Sequence, residues 1–190
     1  IVFCLEVWYG EAQRRISMDT YNGKTPYFSA KTLVFTALMT ALVFLSTFLP
    51  HIPIPLGYAH LGDAVIFLLA ILAERRAAFF AACLGSALAD FMGGFALWIV
   101  PTLIIKYIMA YIVCRMVRSA RGNIERKRIL IALVFASLWM AFGYTVAGAV
   151  LYDSISAALA STPGLLIEGA VNSILALLLF PVLQRHFPRI

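Results

Sequence analysis

Six apolar stretches follow one another along this chain with only short polar breaks: roughly Thr32 to Leu49, Leu61 to Ala73, Ala77 to Met92, Ala96 to Val117, Ile129 to Leu151 and Leu165 to Leu183. Several approach the ~20 residues that a membrane-spanning helix needs, and two fall short of it. A water-soluble chain of 190 residues could not hide so much apolar side chain in one core, because a domain of that size leaves much of its surface exposed. The composition agrees: 63% of residues are hydrophobic and 13% charged, with a mean hydropathy of +0.93, where a soluble globule is about half apolar and a quarter charged. Lipid is the solvent this pattern fits.

The two short stretches could form a re-entrant hairpin. That arrangement would leave Arg75 and Arg76 in the bilayer, at roughly 2.5 to 3.5 kcal/mol each. Two spanning helices with the arginine pair at the surface, borrowing flanking residues such as Gly57 to His60, cost less. With six spans the connections alternate sides, and the charges sort accordingly. Arg14, Arg15, Lys24, Lys31, Arg75, Arg76, Arg115, Arg118, Arg121, Arg126, Lys127, Arg128, Arg185 and Arg189 all fall on one side. The opposite connections, His51 to His60, Gly93 to Phe95 and Tyr152 to Gly164, carry no Lys or Arg. Of the 15 basic residues only Lys106 falls within a span. The positive-inside rule then predicts an all-α polytopic membrane protein, a six-transmembrane-helix bundle with both termini cytoplasmic.

The prolines of Pro50-His51-Ile52-Pro53-Ile54-Pro55 forbid a helix there and predict an ordered outer cap. Residues 1–28 read as a cytoplasmic N-terminal extension and 29–190 as the membrane domain. Ile1 to Ser17 has no charged n-region of a signal peptide, and the natural start is expected at Met18, with 1–17 upstream or added sequence.

Several functions are excluded by what is absent. The formal charge of +6 sits where topology requires it, and no interleaved basic and aromatic platform suggests nucleic acid. Cys4, Cys83 and Cys114 lack metal-ligand spacing, as do His51, His60 and His186, so no metal and no cofactor are expected. There is no G-x-x-x-x-G-K-[ST] run, no H-E-x-x-H and no G-x-S-x-G. An enzyme is not expected.

Ionisable groups inside apolar segments are costly and mark function by default. Here they are Asp63, Asp90, Lys106 and Glu168, with His60, Trp98 and Asn172 beside them. Asp63 and Asp90 fall near the outer ends of the second and third helices, and Glu168 one turn into the sixth. Capping or a structural network would also account for the two aspartates, and an internal ion pair for Lys106. Glu168 and Asn172 are four residues apart and share a helix face. Tyr58, Phe95, Trp98, Tyr144 and Tyr152 could stack on a planar ligand or simply anchor at the interface. Ala37 and Ala41 make a small-x-x-x-small stripe, as do Ala81, Gly85 and Ala89, which lets helices approach closely.

Gly57-Tyr58-Ala59-His60-Leu61-Gly62-Asp63-Ala64-Val65-Ile66-Phe67-Leu68 resembles the substrate-binding S components of energy-coupling factor (ECF) vitamin transporters. Leu84-Gly85-Ser86-Ala87-Leu88-Ala89-Asp90-Phe91-Met92-Gly93-Gly94, with Trp98, Pro101, Thr102 and Lys106 after it, strengthens the likeness, which runs from about Ser29 to His186. Within that family the chain is most similar to the branch linked to hydroxymethylpyrimidine, the thiamin precursor, and is related to riboflavin carriers. The resemblance implies a six-helix bundle in a prokaryotic plasma membrane, binding one vitamin or precursor, such as hydroxymethylpyrimidine or pyridoxine, near the outer face. It implies docking through Ala37 and Ala41 on a transmembrane coupling protein (T component) that carries two cytoplasmic ATPases, which would hydrolyse the ATP. Tyr58, His60, Asp63, Asp90, Trp98, Lys106, Tyr144, Glu168 and Asn172 are the candidate substrate-binding residues. An autonomous ion-coupled carrier, with Asp63, Asp90, Lys106 and Glu168 as relay, is the alternative; the paired halves common in such carriers are not evident.

Overall fold

The computed structural model describes residues 30–49, 52–118 and 125–186. The expected N-terminal extension, the start at Met18, and the charges at Arg14, Arg15, Lys24, Arg121 and Arg189 lie outside them. Six α-helices and one two-stranded hairpin account for most of what is described. In chain order these are α1 (Ala30–Phe48), β1 (Ile52–Ile54), β2 (Gly57–Ala59), α2 (Gly62–Leu72), α3 (Arg75–Met92), a 3-10 turn (Ala96–Trp98), α4 (Ile99–Arg118), α5 (Arg126–Leu151) and α6 (Ile155–His186).

The helices close into a ring of neighbours: α1 packs on α3, α3 on α4, α4 on α5, α5 on α6, α6 on α2, and α2 back on α1. Helix α2 also touches α3 and α4. Its 11 residues reach only about 16 Å, well short of the ~30 Å hydrocarbon thickness, because Gly57 to Ala59, expected to lengthen this span, form a strand instead. Nearly all of them are buried, Ile66, Phe67, Ala70 and Ile71 among them. Being apolar all round suits a helix that lies inside protein rather than along lipid.

Small residues decide how α3 meets α1. Ala78, Ala81, Ala82, Gly85 and Ala89 are buried, and a Cβ on Gly85 would lie 2.8 Å from the Thr40 carbonyl oxygen and 2.7 Å from Val43 Cβ. The Ala81, Gly85 and Ala89 stripe thus serves internal packing, whereas Ala37 and Ala41 on α1 face outward. Around the ring, Leu38, Leu45, Phe80, Ile104, Phe135 and Leu178 are all exposed. So extensive an apolar surface fits lipid as the outer neighbour. Three helices, covering Ala96–Val117, Arg126–Leu151 and Ile155–Arg185, are long and apolar enough to cross a membrane, and Thr32–Phe48 and Gly62–Leu72 are shorter apolar helices. The chain is an all-α multi-pass membrane protein with a small β cap.

The cap forms where the prolines predict an ordered, non-helical segment. Ile52 pairs with Ala59, Pro53 with Tyr58 and Ile54 with Gly57, leaving Pro55 and Leu56 as the turn. Its tip is tied down: the Leu56 N–H donates to Ser161 Oγ at 3.0 Å.

One expected loop is replaced by helix. Tyr152 to Gly164 was expected as an outer connection, but α6 begins at Ile155 and runs unbroken through Pro163 and Pro181. The turn shrinks to residues 152–154, with Asp153 at a φ of 47°, a left-handed conformation that Asp tolerates better than most residues. Ser154 Oγ then accepts the Ala157 N–H at 3.3 Å, satisfying one amide of the new first turn. The 32 residues of α6 extend about 48 Å, and Glu168 lies about three and a half turns along it rather than one.

Candidate functional site

The site forms where the hairpin, the C-terminal end of α3 and the N-terminal parts of α2 and α4 meet α5 and the first half of α6. Each contributes a polar group on a buried face. Gly94, at a φ of 83°, turns the chain sharply after α3, a conformation open to glycine. The 3-10 turn then sets Trp98 over the cavity. Pro101 is accommodated in the first turn of α4, where its missing N–H costs little.

Two polar layers result. In the outer one, Asp90 Oδ1 accepts the Tyr58 hydroxyl at 3.0 Å and Asp90 Oδ2 accepts the Thr102 hydroxyl at 2.5 Å. The Tyr144 hydroxyl donates to Thr102 Oγ1 at 3.1 Å. Burial, with the Asp90 charge adding to it, pushes the Tyr58 phenol far above the usual tyrosine range, so it stays a donor. Aromatic rings surround this layer: Tyr58 against Phe95 at 5.1 Å between centroids, Trp98 against Tyr144 at 5.6 Å and against Tyr152 at 6.1 Å. Trp98 Nε1 also donates to the Tyr152 hydroxyl at 3.2 Å.

In the inner layer Lys106 pairs with Asp63 Oδ1, both side chains wholly buried. The Lys106 ammonium lies 5.2 Å from the Tyr144 ring centroid, a cation–π distance that links the two layers. Asp63 sits in the first turn of α2, where a negative charge favours the helix dipole. Asn172 acts as a clamp: its Oδ1 accepts the Ala64 N–H at 2.9 Å, and its Nδ2 donates to the carbonyls of His60 at 2.8 Å and Glu168 at 2.9 Å. His60 Nδ1 lies 3.1 Å from Glu168 Oε1 and receives the Gly62 N–H at 3.2 Å.

Between hairpin and helices lies a cavity whose empty space, counted out to the open mouth, is about 530 Å³. Its walls include Tyr58, His60, Asp90, Trp98, Tyr144 and Glu168, with Phe95, Leu56, Ser161 and Leu165. Six of the nine candidate binding residues therefore share one cavity, while Asp63, Lys106 and Asn172 form the network beside it. Lys106, left open between ligand and internal acid by the sequence, is held by Asp63. Ser161 was missed because it falls in the expected loop. Thr102 was visible in the α4 motif, but a lone Thr gives no signal of its carboxylate partner. The ligating atoms of His60, Asp63 and Glu168 lie within 4.8 Å of one another, close enough for a cation, but Lys106 already supplies a positive charge there.

An acidic and aromatic cavity thus lies at one end of a helical membrane bundle. Residues 27–185 match the family described as ECF-type riboflavin transporter, S component. The chain is also similar to a protein of Pyrococcus woesei described as an uncharacterized protein in gap 3'region, being 33% identical over 151 residues that cover 75% of this chain and 99% of that protein. The chain belongs to the ECF-type S component family. It is a substrate-binding subunit of a vitamin transporter, not an enzyme.

Proposed function

We propose that this chain captures a small planar vitamin or vitamin precursor in the cavity beneath the hairpin and presents it to an ECF transport module. Hydroxymethylpyrimidine is the first candidate, with pyridoxine a related one; riboflavin, named in the family description, is the larger competitor. The observation that carries the reading is the grouping of Tyr58, Asp90, Trp98, Tyr144 and Glu168 around one cavity, aromatic faces for stacking and carboxylates for orientation.

The proposed setting is a prokaryotic plasma membrane crossed six times, one passage made by the short α2 inside the bundle together with its flanking segments, with both termini cytoplasmic and the cavity facing outside. The charge distribution supports it, since Arg75, Arg76, Arg115 and residues 126–128 lie at the end opposite the cap. The outward-facing Ala37 and Ala41 on α1 would meet the T component, and two cytoplasmic ATPases would supply the energy. A second reading, an autonomous ion-coupled carrier, draws on the buried Asp63, Lys106, His60 and Glu168 group.

Reconstitution separates the two. Vesicles containing this chain alone should bind hydroxymethylpyrimidine without accumulating it, and adding T component, ATPases and internal ATP should drive uptake. Uphill uptake by the chain alone under a pH or sodium gradient would instead establish the carrier.

A further inference from the structure

Among the described residues three carboxylates are buried, Asp63, Asp90 and Glu168, against the one buried ammonium of Lys106. Lys106 is engaged by Asp63, so with His60 neutral two negative charges remain. Buried charges are paired or coordinate metals, because an unmatched ion loses its hydration without return. Asp90 is served by the Tyr58 and Thr102 hydroxyls. The inner acids are served less well: Asp63 Oδ2 is buried and has no hydrogen-bond partner.

Donors also run short between His60 and Glu168. His60 Nδ1 accepts the Gly62 N–H at 3.2 Å, which marks it as the unprotonated ring nitrogen. It nevertheless faces Glu168 Oε1 at 3.1 Å. Two acceptors that close repel each other unless a positive centre is shared between them. Ligands of one metal ion, at bonds near 2.1 Å, stand roughly 3.0 to 3.5 Å apart. A carboxylate oxygen of Asp63 completes the group, its atoms all within 4.8 Å of one another.

The backbone beneath these residues is fixed by one side chain. Asn172 accepts the N–H of Ala64, next to Asp63, and donates to the carbonyls of His60 and Glu168. Lys106 holds Asp63 through Oδ1, which leaves Oδ2 for ligation. Supporting contacts of this kind orient the ligands of metal sites.

We propose that His60, Asp63 and Glu168 bind one divalent first-row transition ion, of the manganese to zinc series, beside the cavity that His60 and Glu168 line. An imidazole nitrogen with two carboxylate oxygens suits such an ion better than calcium or magnesium, which take oxygen ligands. Its two charges match the two that Lys106 leaves. Sequence spacing conceals the set, because Glu168 lies 108 positions from His60.

The test is titration of the purified full chain, stripped with a chelator and without any vitamin, with Mn²⁺ and with Zn²⁺. One ion should bind per chain and raise the thermal transition, and Mg²⁺ at the same concentration should not. Glu168→Gln and His60→Gln should each weaken binding at least about tenfold, the lower end of what disturbing even a supporting contact costs. Pulsed electron paramagnetic resonance of the Mn²⁺-loaded wild type should show coupling to an imidazole nitrogen, a readout that needs no variant. Absence of saturable binding by a folded chain, or equal affinity in both variants, would overturn the site. So would a carboxylic acid C=O infrared band that Glu168→Gln removes in a chain binding neither ion, since a proton would then hold the place of the metal. Vitamin capture is titrated separately and stands or falls apart from this result.

Discussion

At the scale of single residues, Lys106 and Asp63 show how the bundle tolerates charge in its interior. Neither side chain reaches solvent, and isolating either would leave a desolvated ion. Removing one partner of such a pair costs about 3 to 5 kcal/mol, whereas replacing both by apolar groups can be neutral. Lys106→Met should therefore lower the thermal transition sharply, and Lys106→Met with Asp63→Leu should recover most of the loss. A double variant as unstable as the sum of the singles would show that the two groups do not act as a pair. Trp98 belongs to the recognition side. It is largely buried yet lines the cavity, so Trp98→Ala should weaken ligand binding at least about tenfold through lost stacking. Candidate residues were legible at this scale because charge in an apolar run is conspicuous. Partners were not legible: Asp63 and Lys106 are 43 positions apart, and spacing does not encode which acid a lysine will meet.

At the scale of elements, the α1–α3 seam depends on an absent side chain. A Cβ at Gly85 would press on both the Val43 side chain and the Thr40 backbone carbonyl, and the backbone cannot rotate away. Gly85→Ala should destabilise by roughly 1 to 3 kcal/mol, the usual cost of overpacking, read from thermal unfolding in detergent. An unchanged transition would mean that the seam is looser than described. The outward Ala37 and Ala41 should behave differently. Ala37→Trp should leave binding intact and abolish ATP-driven uptake by the full complex if α1 docks on the T component. Helix identities followed from the apolar runs, and the ordered cap from its prolines. The strand pairing and the early start of α6 did not. Hairpin register depends on the partner strand, while Pro163 and Gly164 read locally as breakers although α6 passes through both, packed by its neighbours. Glu168 was consequently placed too near the helix start, but it still reached the cluster because His60 and α2 come to meet it.

At the scale of the whole molecule, charge separates along the bundle: the described surface arginines lie towards one end, and the acidic cavity and its cap towards the other. The proposed topology gives a direct expectation. Single cysteines at Asp153 and at Lys127, in a chain lacking Cys4, Cys83 and Cys114, should react with an impermeant maleimide from opposite sides, Asp153 in intact cells and Lys127 only in inverted vesicles. Labelling of both from one side would contradict the six-span arrangement. The central claim is that this chain, by itself, is a high-affinity receptor for one small vitamin or precursor. Its most direct test is isothermal titration of the purified chain, without T component or ATPases, against hydroxymethylpyrimidine, thiamin, pyridoxine, riboflavin, pantothenate and folate. The account predicts saturable 1:1 binding of one compound, weakened by Trp98→Ala. No binding of any of them by a folded sample would contradict it.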